Sequence, residues 1–493
     1  MTRPSDGRPR EGGGPVDAVV IGSGPNGLAA AVTLAGAGHS VAVLEAADTP
    51  GGGSRSAELT LPGFVHDVCS SIHAFARISP FFLDTAPALE RHGLRWVRPP
   101  AAVAHPLDDG SAVLLRGDVD ETARGLGTSA DADAYRRLFG WIVDASPTLL
   151  PDLLGPFHVP LSPPRALRMA RFGLVALQPA TRLARQFRGD AARALFAGIA
   201  AHSILSLTEP VSAAAALVLG AAAHVGGWPF PEGGAGRLPE ALVAELTARG
   251  GRVETGRRVE RLSDLPEHRV AIFDTSPESL AMIAGTRLPN GYRRRLERYR
   301  HGPGVYKLDI ATDGPIPWRN PELLEAATVH LGGTLEEIAR SEAEIAAGRV
   351  PERPFVLLTQ TSLFDATRAP TGKHTVWAYC HVPNGSSLDA TDRIVGQIER
   401  FAPGFRDRVL ATAARGPAEI EANNANDIGG DIGGGRLDLG QLFTRPSLRV
   451  FDPYSTPDPA IFLCSAATPP GGGVHGMSGL HAARSALGRL ERT

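Results

Sequence analysis

The residues with the clearest chemistry lie near the start of the chain. Gly22-Ser23-Gly24-Pro25-Asn26-Gly27 carries the spacing G-x-G-x-x-G, and that spacing points to a dinucleotide. The first glycine permits a tight turn and the second lets a pyrophosphate approach the backbone. The third lets a helix pack closely on the preceding strand. Glu45 follows about 20 residues on, where an acid accepts hydrogen bonds from ribose hydroxyls. A second glycine patch, Gly51-Gly52-Gly53, stands just before Arg55. It suits another close backbone approach to a long cofactor, with Arg55 as a charged donor to phosphate. On its own it would read as a surface loop with a solvated arginine. His66, Asp67 and His73 lack third and fourth ligands at suitable spacing, so no metal site is expected. Cys69, Cys380 and Cys464 form no C-x-x-C, which argues against a disulfide framework and a dithiol centre.

These residues need a frame. Residues 16–21 are an almost unbroken apolar, β-branched run, as in a strand buried on both faces of a parallel sheet. Residues 28–37 are Ala-rich and helix-compatible, so that free N–H groups and the positive dipole end would face the phosphates. Gly38 ends the helix and 40–44 form a second strand. Strand, glycines, helix, strand and acid thus fall in order, and a lone G-x-G-x-x-G does not have that specificity.

Strands and turns are expected over 85–110 and a helical stretch over 118–145. Beyond 250–251 the segment RVETGRRVERL reads as strand, turn and strand, and 270–274 as a short buried strand. Strand-like runs recur at 304–312, 355–361 and 374–381. A last strand at 460–464 leads through a glycine-rich turn into a terminal helix. α/β texture that returns after a helical stretch implies a discontinuous nucleotide domain with a second domain inserted. The expected division is a flexible tail over 1–15, a nucleotide domain over 16–115, 228–285 and 445–493, and a substrate domain with a helical cap over 116–227 and 286–444.

The chain has 493 residues and a formal net charge of −2. It can bury a large core, and nothing in the charge points to nucleic acid as a partner. Its 57 glycines and 41 prolines are spread along the chain and imply many tight turns. The first 15 residues resemble neither a signal nor a transit peptide, and a reducing, cytoplasmic compartment is expected. The apolar run 211–225 is short for a bilayer span and reads as a buried helix. Residues 151–220 are apolar and basic, with Arg165, Arg168 and Arg171 near one helical turn apart. Such a segment over 151–193 suits an anionic membrane surface, or a helical cap whose arginines face water.

Several motifs resemble flavin-dependent phytoene desaturase-like oxidoreductases, in the branch of pyridine nucleotide-disulfide oxidoreductase domain-containing protein 2. They are the opening fingerprint, Gly51-Gly52, Glu232-Gly233-Gly234, the segment from Trp377 to Gly385, Gly429-Gly430-Asp431, Arg445-Pro446 and the PPGGGVHGMSG ending. The resemblance implies an α/β FAD fold of the amine-oxidase and glutathione-reductase type, a Rossmann-type FAD domain with an inserted α+β substrate domain. It places the ADP half of FAD on Gly22, Gly24, Pro25, Asn26, Gly27 and Glu45, with Gly52, Gly53 and Arg55 close by. Val259 falls near the adenine. Ala466, Gly473, Val474, His475 and Met477 fall near the ribityl chain and the ring system. Relatives carry Gly where this chain has Ser465, which bears on the contact beside Ala466.

The implied activity is a dehydrogenase or desaturase that takes hydride from an apolar, carotenoid- or isoprenoid-like substrate to flavin N5. A redox-neutral flavin isomerase and a non-catalytic flavoprotein working through a partner are the alternatives. His475 is the candidate proton carrier, against the plainer reading that it packs in a tight turn. Asp67 and His73 are weaker candidates on the substrate side. A single strand-borne G-x-G-x-x-G argues against a second nucleotide site and for reoxidation by oxygen or a quinone. The apolar helical insertion suits a tunnel for an elongated substrate.

Overall fold

The computed structural model describes residues 14–158 and 160–492. The tail expected over 1–15 therefore lies outside the described residues except for its last two. Two sheets form the scaffold. The first is five-stranded and wholly parallel, ordered Ile461–Leu463, His268–Phe273, Val16–Ile21, Val41–Leu44, Arg252–Glu254. Its central strands are apolar and nearly unbroken because helices cover both faces. This is the Rossmann arrangement.

Both chain ends meet on one face of this sheet. Helix Pro25–Gly36 starts with proline in its first turn, where the missing N–H costs nothing. Helix Met477–Leu490 packs directly against it. Gly479 makes the approach possible: a Cβ there would lie 1.9 Å from the Asn26 carbonyl oxygen. Buried Ala29, Ala30, Ala482 and Ala483 keep the rest of that seam narrow.

The second sheet has seven strands, ordered Val409–Arg415, Gly304–Thr312, His374–Val382, Val356–Thr359, Ala326–Leu331, Ala101–Pro106, Ala112–Arg116. All its pairings are antiparallel except that of Ala326–Leu331 with Ala101–Pro106. A boundary at 115 would therefore divide this sheet, because 101–116 pairs with the substrate-side strands. Helices Ser129–Leu153, Asp190–Ala200 and Ser212–Gly226 pack together beside it. Ser212–Gly226 is buried through Ala213, Ala216, Leu217 and Ala221–Ala223, as its Ala-rich composition implies. No helix among the described residues is long and apolar enough to cross a membrane.

Three segments differ from the sequence expectation. Pro80–Arg91 is a helix, although Pro87 inside it reads as a breaker. Phe81, Phe82, Ala88 and Leu89 are buried on one face and hold it in place. After Arg252–Glu254 the chain runs as a loop, and no second strand forms over 257–261. The edge strand Val409–Arg415 carries no fully buried residue, so no alternation of core residues marks it in the sequence.

Candidate functional site

A cavity of about 1050 Å³ runs between the two sheets and the helical insertion. It lies at the upper limit of the roughly 300–1,000 Å³ usual for ligand pockets. At one end it is lined by Gly22, Gly24, Pro25, Asn26, Glu45, Gly52, Gly53 and Arg55. Val259, Ala466, Gly473 and Val474, distant in sequence, line the same space. Gly27, His475 and Met477 do not line it.

Glu45 closes the glycine turn. Its Oε2 accepts from the Ser23 amide at 2.8 Å and the Ser23 hydroxyl at 2.6 Å, and Oε1 accepts from the Ala47 amide. Gly52 stands against the turn, and a Cβ on it would lie 3.0 Å from Gly24 Cα. Arg55 lies across the opening, its Nε donating to the Gly52 carbonyl and Nη2 to that of Asn423. Asn26 Oδ1 is buried with no protein partner.

Asp274, at the end of His268–Phe273, was not foreseen. Its Oδ2 accepts from the Gly27 amide at 2.8 Å, so the third glycine of the fingerprint already has a partner. A Cβ on Gly24 would lie 2.6 Å from that same oxygen. Glycine at 24 is thus required by a neighbouring carboxyl as well as by any pyrophosphate. Burial raises the Asp274 pKa to about 7, opposed by the Gly27 hydrogen bond and reinforced by Glu45. No spacing rule reaches Asp274, which lies 247 residues from its amide partner.

The C-terminal turn is closed on itself. His475 Nε2 bonds the Gly471 carbonyl and Nδ1 accepts from the Met477 amide, both at 3.0 Å. Burial pushes its pKa down to about 4. A proton carrier at His475 does not fit this geometry, because both ring nitrogens are engaged within the turn. Asp67 and His73 are buried away from the cavity as well. Asp67 accepts from Ser56, Ser71, Ala235 and Arg368, which ties three segments together.

Above Ala466, a glycine loop is fixed by two charged side chains. Asp431 accepts from the amides of Gly302, Gly433 and Gly435. Arg445 donates to the carbonyls of Gly433, Gly434, Gly435 and Ala466. This gives the Gly429-Gly430-Asp431 and Arg445-Pro446 motifs a mechanical role.

Further along, Trp377 and Tyr379 from His374–Val382 face the cavity, their rings 5.1 Å apart and edge-on. Behind them Lys307 pairs with Asp309, which also meets Arg415 at 3.2 Å. Burial is the largest influence on Lys307 and lowers its ammonium pKa to about 8; Asp309 opposes it. Asp427 lines the cavity as well, raised by burial to about 8, with Asp431 adding to the rise. The remaining wall mixes apolar Leu153, Met169, Phe172, Leu177, Val211, Leu219 and Leu357 with polar Asp152, His158, His202, Ser203 and Thr328. Among the described residues no group of three or more His, Cys, Asp or Glu side chains is placed to hold a metal ion.

Residues 20–82 match the NAD(P)-binding Rossmann-like domain family. The chain is 28% identical to pyridine nucleotide-disulfide oxidoreductase domain-containing protein 2 of Rattus norvegicus, over 95% of this chain and 92% of that protein. It is 28% identical to phytoene dehydrogenase of Streptomyces griseus, over 82% and 79%. In three dimensions it is similar to cyclohexylamine oxidase from Brevibacterium oxydans, at TM-score 0.60 and 16% identity, covering 97% of this chain and 99% of that one. The chain is similar in sequence to phytoene dehydrogenase and to pyridine nucleotide-disulfide oxidoreductase domain-containing protein 2, and shares the fold of cyclohexylamine oxidase.

Proposed function

We propose that the protein is an FAD-dependent oxidoreductase, a dehydrogenase or desaturase, acting on an elongated apolar substrate. The observation that carries this reading is the single cavity joining a dinucleotide-type glycine turn to an apolar chamber. The polar end fits the ADP half of FAD. Gly22, Gly24, Gly52 and Gly53 present bare backbone to the cavity, Glu45 supplies an acid at the ribose position, and Arg55 supplies a cation. The Ala466 and Gly473–Val474 backbone would hold the flavin end. Bound FAD supplies a two-electron acceptor for C–H oxidation.

The protein's own part is position, burial and proton handling. Trp377 and Tyr379 offer flat walls that orient a conjugated or branched chain. The apolar lining excludes water. Asp427, on the cavity wall, has its carboxyl pushed up to about 8 by burial, so it suits holding and releasing the proton that accompanies C–H cleavage. Oxygen or a quinone would serve as the final electron acceptor. Phytoene dehydrogenase, by its name, acts on phytoene; the apolar chamber here suits a substrate of that general kind.

Membrane contact belongs to the same proposal. Leu161, Leu167, Leu174, Leu448 and Phe451 are exposed, and Phe157 on the cavity rim stands 6.1 Å from both Phe443 and Phe451. The arginine stripe is partly spent within the protein: Arg165 pairs with Asp152, and Arg171 lies 4.1 Å from the Trp141 ring centre. The leucines and phenylalanines, more than the charges, would meet lipid.

The test is the absorption spectrum of the protein as isolated, followed by anaerobic addition of apolar polyenes. Bound FAD that bleaches on substrate addition is the expected result. Colourless protein unable to take up FAD overturns the reading, and turnover only after prior reduction would mark a redox-neutral isomerase instead.

A further inference from the structure

Two residues on one wall of the cavity hold a backbone conformation that suits neither of them. Among the described residues, Ile204 and Val211 are the two non-glycine residues with positive φ, at +53° and +75°. Both are β-branched, and the left-handed region crowds a branched side chain against its own backbone. Both line the cavity, and His202, Ser203 and Leu205 line it beside them. The helix that follows Val211, Ser212–Gly226, presents Ala214 and Ala215 to the same space, with Val218 and Leu219 one turn further on.

The conformation is imposed by the surroundings. The Ile204 amide donates to the Ala201 carbonyl at 2.9 Å, and the Val211 amide to that of Leu177 at 3.1 Å. Between them the Leu207 carbonyl accepts from the Thr181 amide and from the hydroxyls of Thr181 and Ser212. Leu205 and Leu207 are buried and pin the segment from within. None of these anchors uses the side chain of Ile204 or Val211. Glycine at either position would keep every one of them and relieve the strain.

We infer that Ile204 and Val211 set the bore of the chamber, so that it takes a narrow, rod-like molecule and turns away a broad fused-ring one. Their amides are taken up by neighbouring carbonyls, which leaves the side chains to fill the space. Strain of this kind is kept where a site needs a fixed shape, and here both outliers fall on one stretch of wall. The inference rests on the apolar-substrate reading of the same cavity and adds a limit on width.

Diphenylhexatriene and perylene test the inference, since both are apolar and fluorescent but one is a rod and the other a broad disc. Titrated into the protein as isolated and followed by fluorescence anisotropy, the rod is expected to bind about tenfold more tightly, the scale of a few ångströms of misfit in an apolar pocket. Ile204→Gly and Val211→Gly should each raise the affinity for perylene about fivefold and leave that for the rod within about twofold. The glycine variants should also melt above Ile204→Ala and Val211→Ala, because a left-handed position favours glycine, the reverse of the order at an ordinary buried site. The wild-type preference decides even where a variant does not fold. Equal affinities in the wild type, a preference that survives both glycine variants, or alanine variants that outlast the glycine ones each overturns the inference. Flavin absorbance read on the same samples separates the two readings. Colourless protein that keeps the preference removes the flavin reading alone, and yellow protein that takes both probes equally removes this inference alone. Protein that binds neither probe removes the apolar-substrate reading and this inference with it.

Discussion

The two ends of the chain repeat one pattern, strand then glycine-rich turn then helix, and use it differently. At the N-terminal turn Gly22–Asn26 line the cavity, and the turn is held from outside by Glu45 and Asp274. At the C-terminal turn the ring of His475 sits inside and bonds both Gly471 and Met477. Both turns present backbone to the cavity, Gly473 and Val474 from the second, but the first is braced by side chains from other segments whereas the second is braced by its own histidine. Similar glycine texture therefore does not mean a similar role, and the partner of each turn amide decides which role it has.

The strongest way to break this comparison is to part the seam between the two turns. Gly479→Leu would drive a side chain into the Asn26 carbonyl, which is backbone and cannot yield. We expect a loss of about 3 kcal/mol or more, with flavin uptake lost too, read by thermal unfolding and absorbance. Retained stability would mean that the two helices do not depend on close approach.

Asp274 gives a pH test of the open turn. Its folded pKa of about 7 lies above its ordinary value of 3.8, so the native state binds the proton more tightly than the unfolded one. Asp274 therefore favours folding at low pH, and that contribution fades as pH rises through about 7. Relative to the wild type, Asp274→Asn should gain stability between about pH 4 and pH 7 and hold a constant lead above. The scale is on the order of 1.4 kcal/mol per pH unit. A difference that does not vary with pH in urea melts would place an ionised carboxylate there.

His475→Leu should cost about 1–3 kcal/mol, the effect of stranding a buried amide and a carbonyl. It should not shift the pH profile of flavin reduction. A shifted profile would return His475 to the chemistry.

A finer test concerns Gly24. Gly24→Ala should lower flavin occupancy, and Asp274→Ala in the same chain should restore part of it, since the added methyl meets that carboxyl. A double-mutant cycle with no coupling would assign the glycine to the ligand alone. The smallest effect is expected at the rim, where Leu167→Glu with Leu174→Glu should reduce sedimentation with vesicles and leave melting unchanged. Unchanged sedimentation would dispose of the membrane contact.

Much of the frame was legible in the sequence because it is local. The strands at 16–21 and 304–312 and the helix near 335–346 follow from runs of residue types within one window. The open turn was legible for the same reason. Asp274, a row of histidines beside the cavity and the Asp431–Arg445 clamp were not, because each joins residues far apart in the chain and leaves no periodic trace. His202, His330 and His105 come from three separate segments: His330 and His105 meet beside Gly198, and His202 meets His330. His475 misled because a histidine beside glycines looks available, and only the distances show both nitrogens occupied.

The order of strands in the parallel sheet has a consequence for how the protein is made. Its central strand, Val16–Ile21, leaves the ribosome more than four hundred residues before the edge strand Ile461–Leu463 and the helix that covers Pro25–Gly36. The alanine-lined face of that first helix must then wait uncovered while the intervening residues are made. Such an exposed face is a natural target for chaperones on the nascent chain.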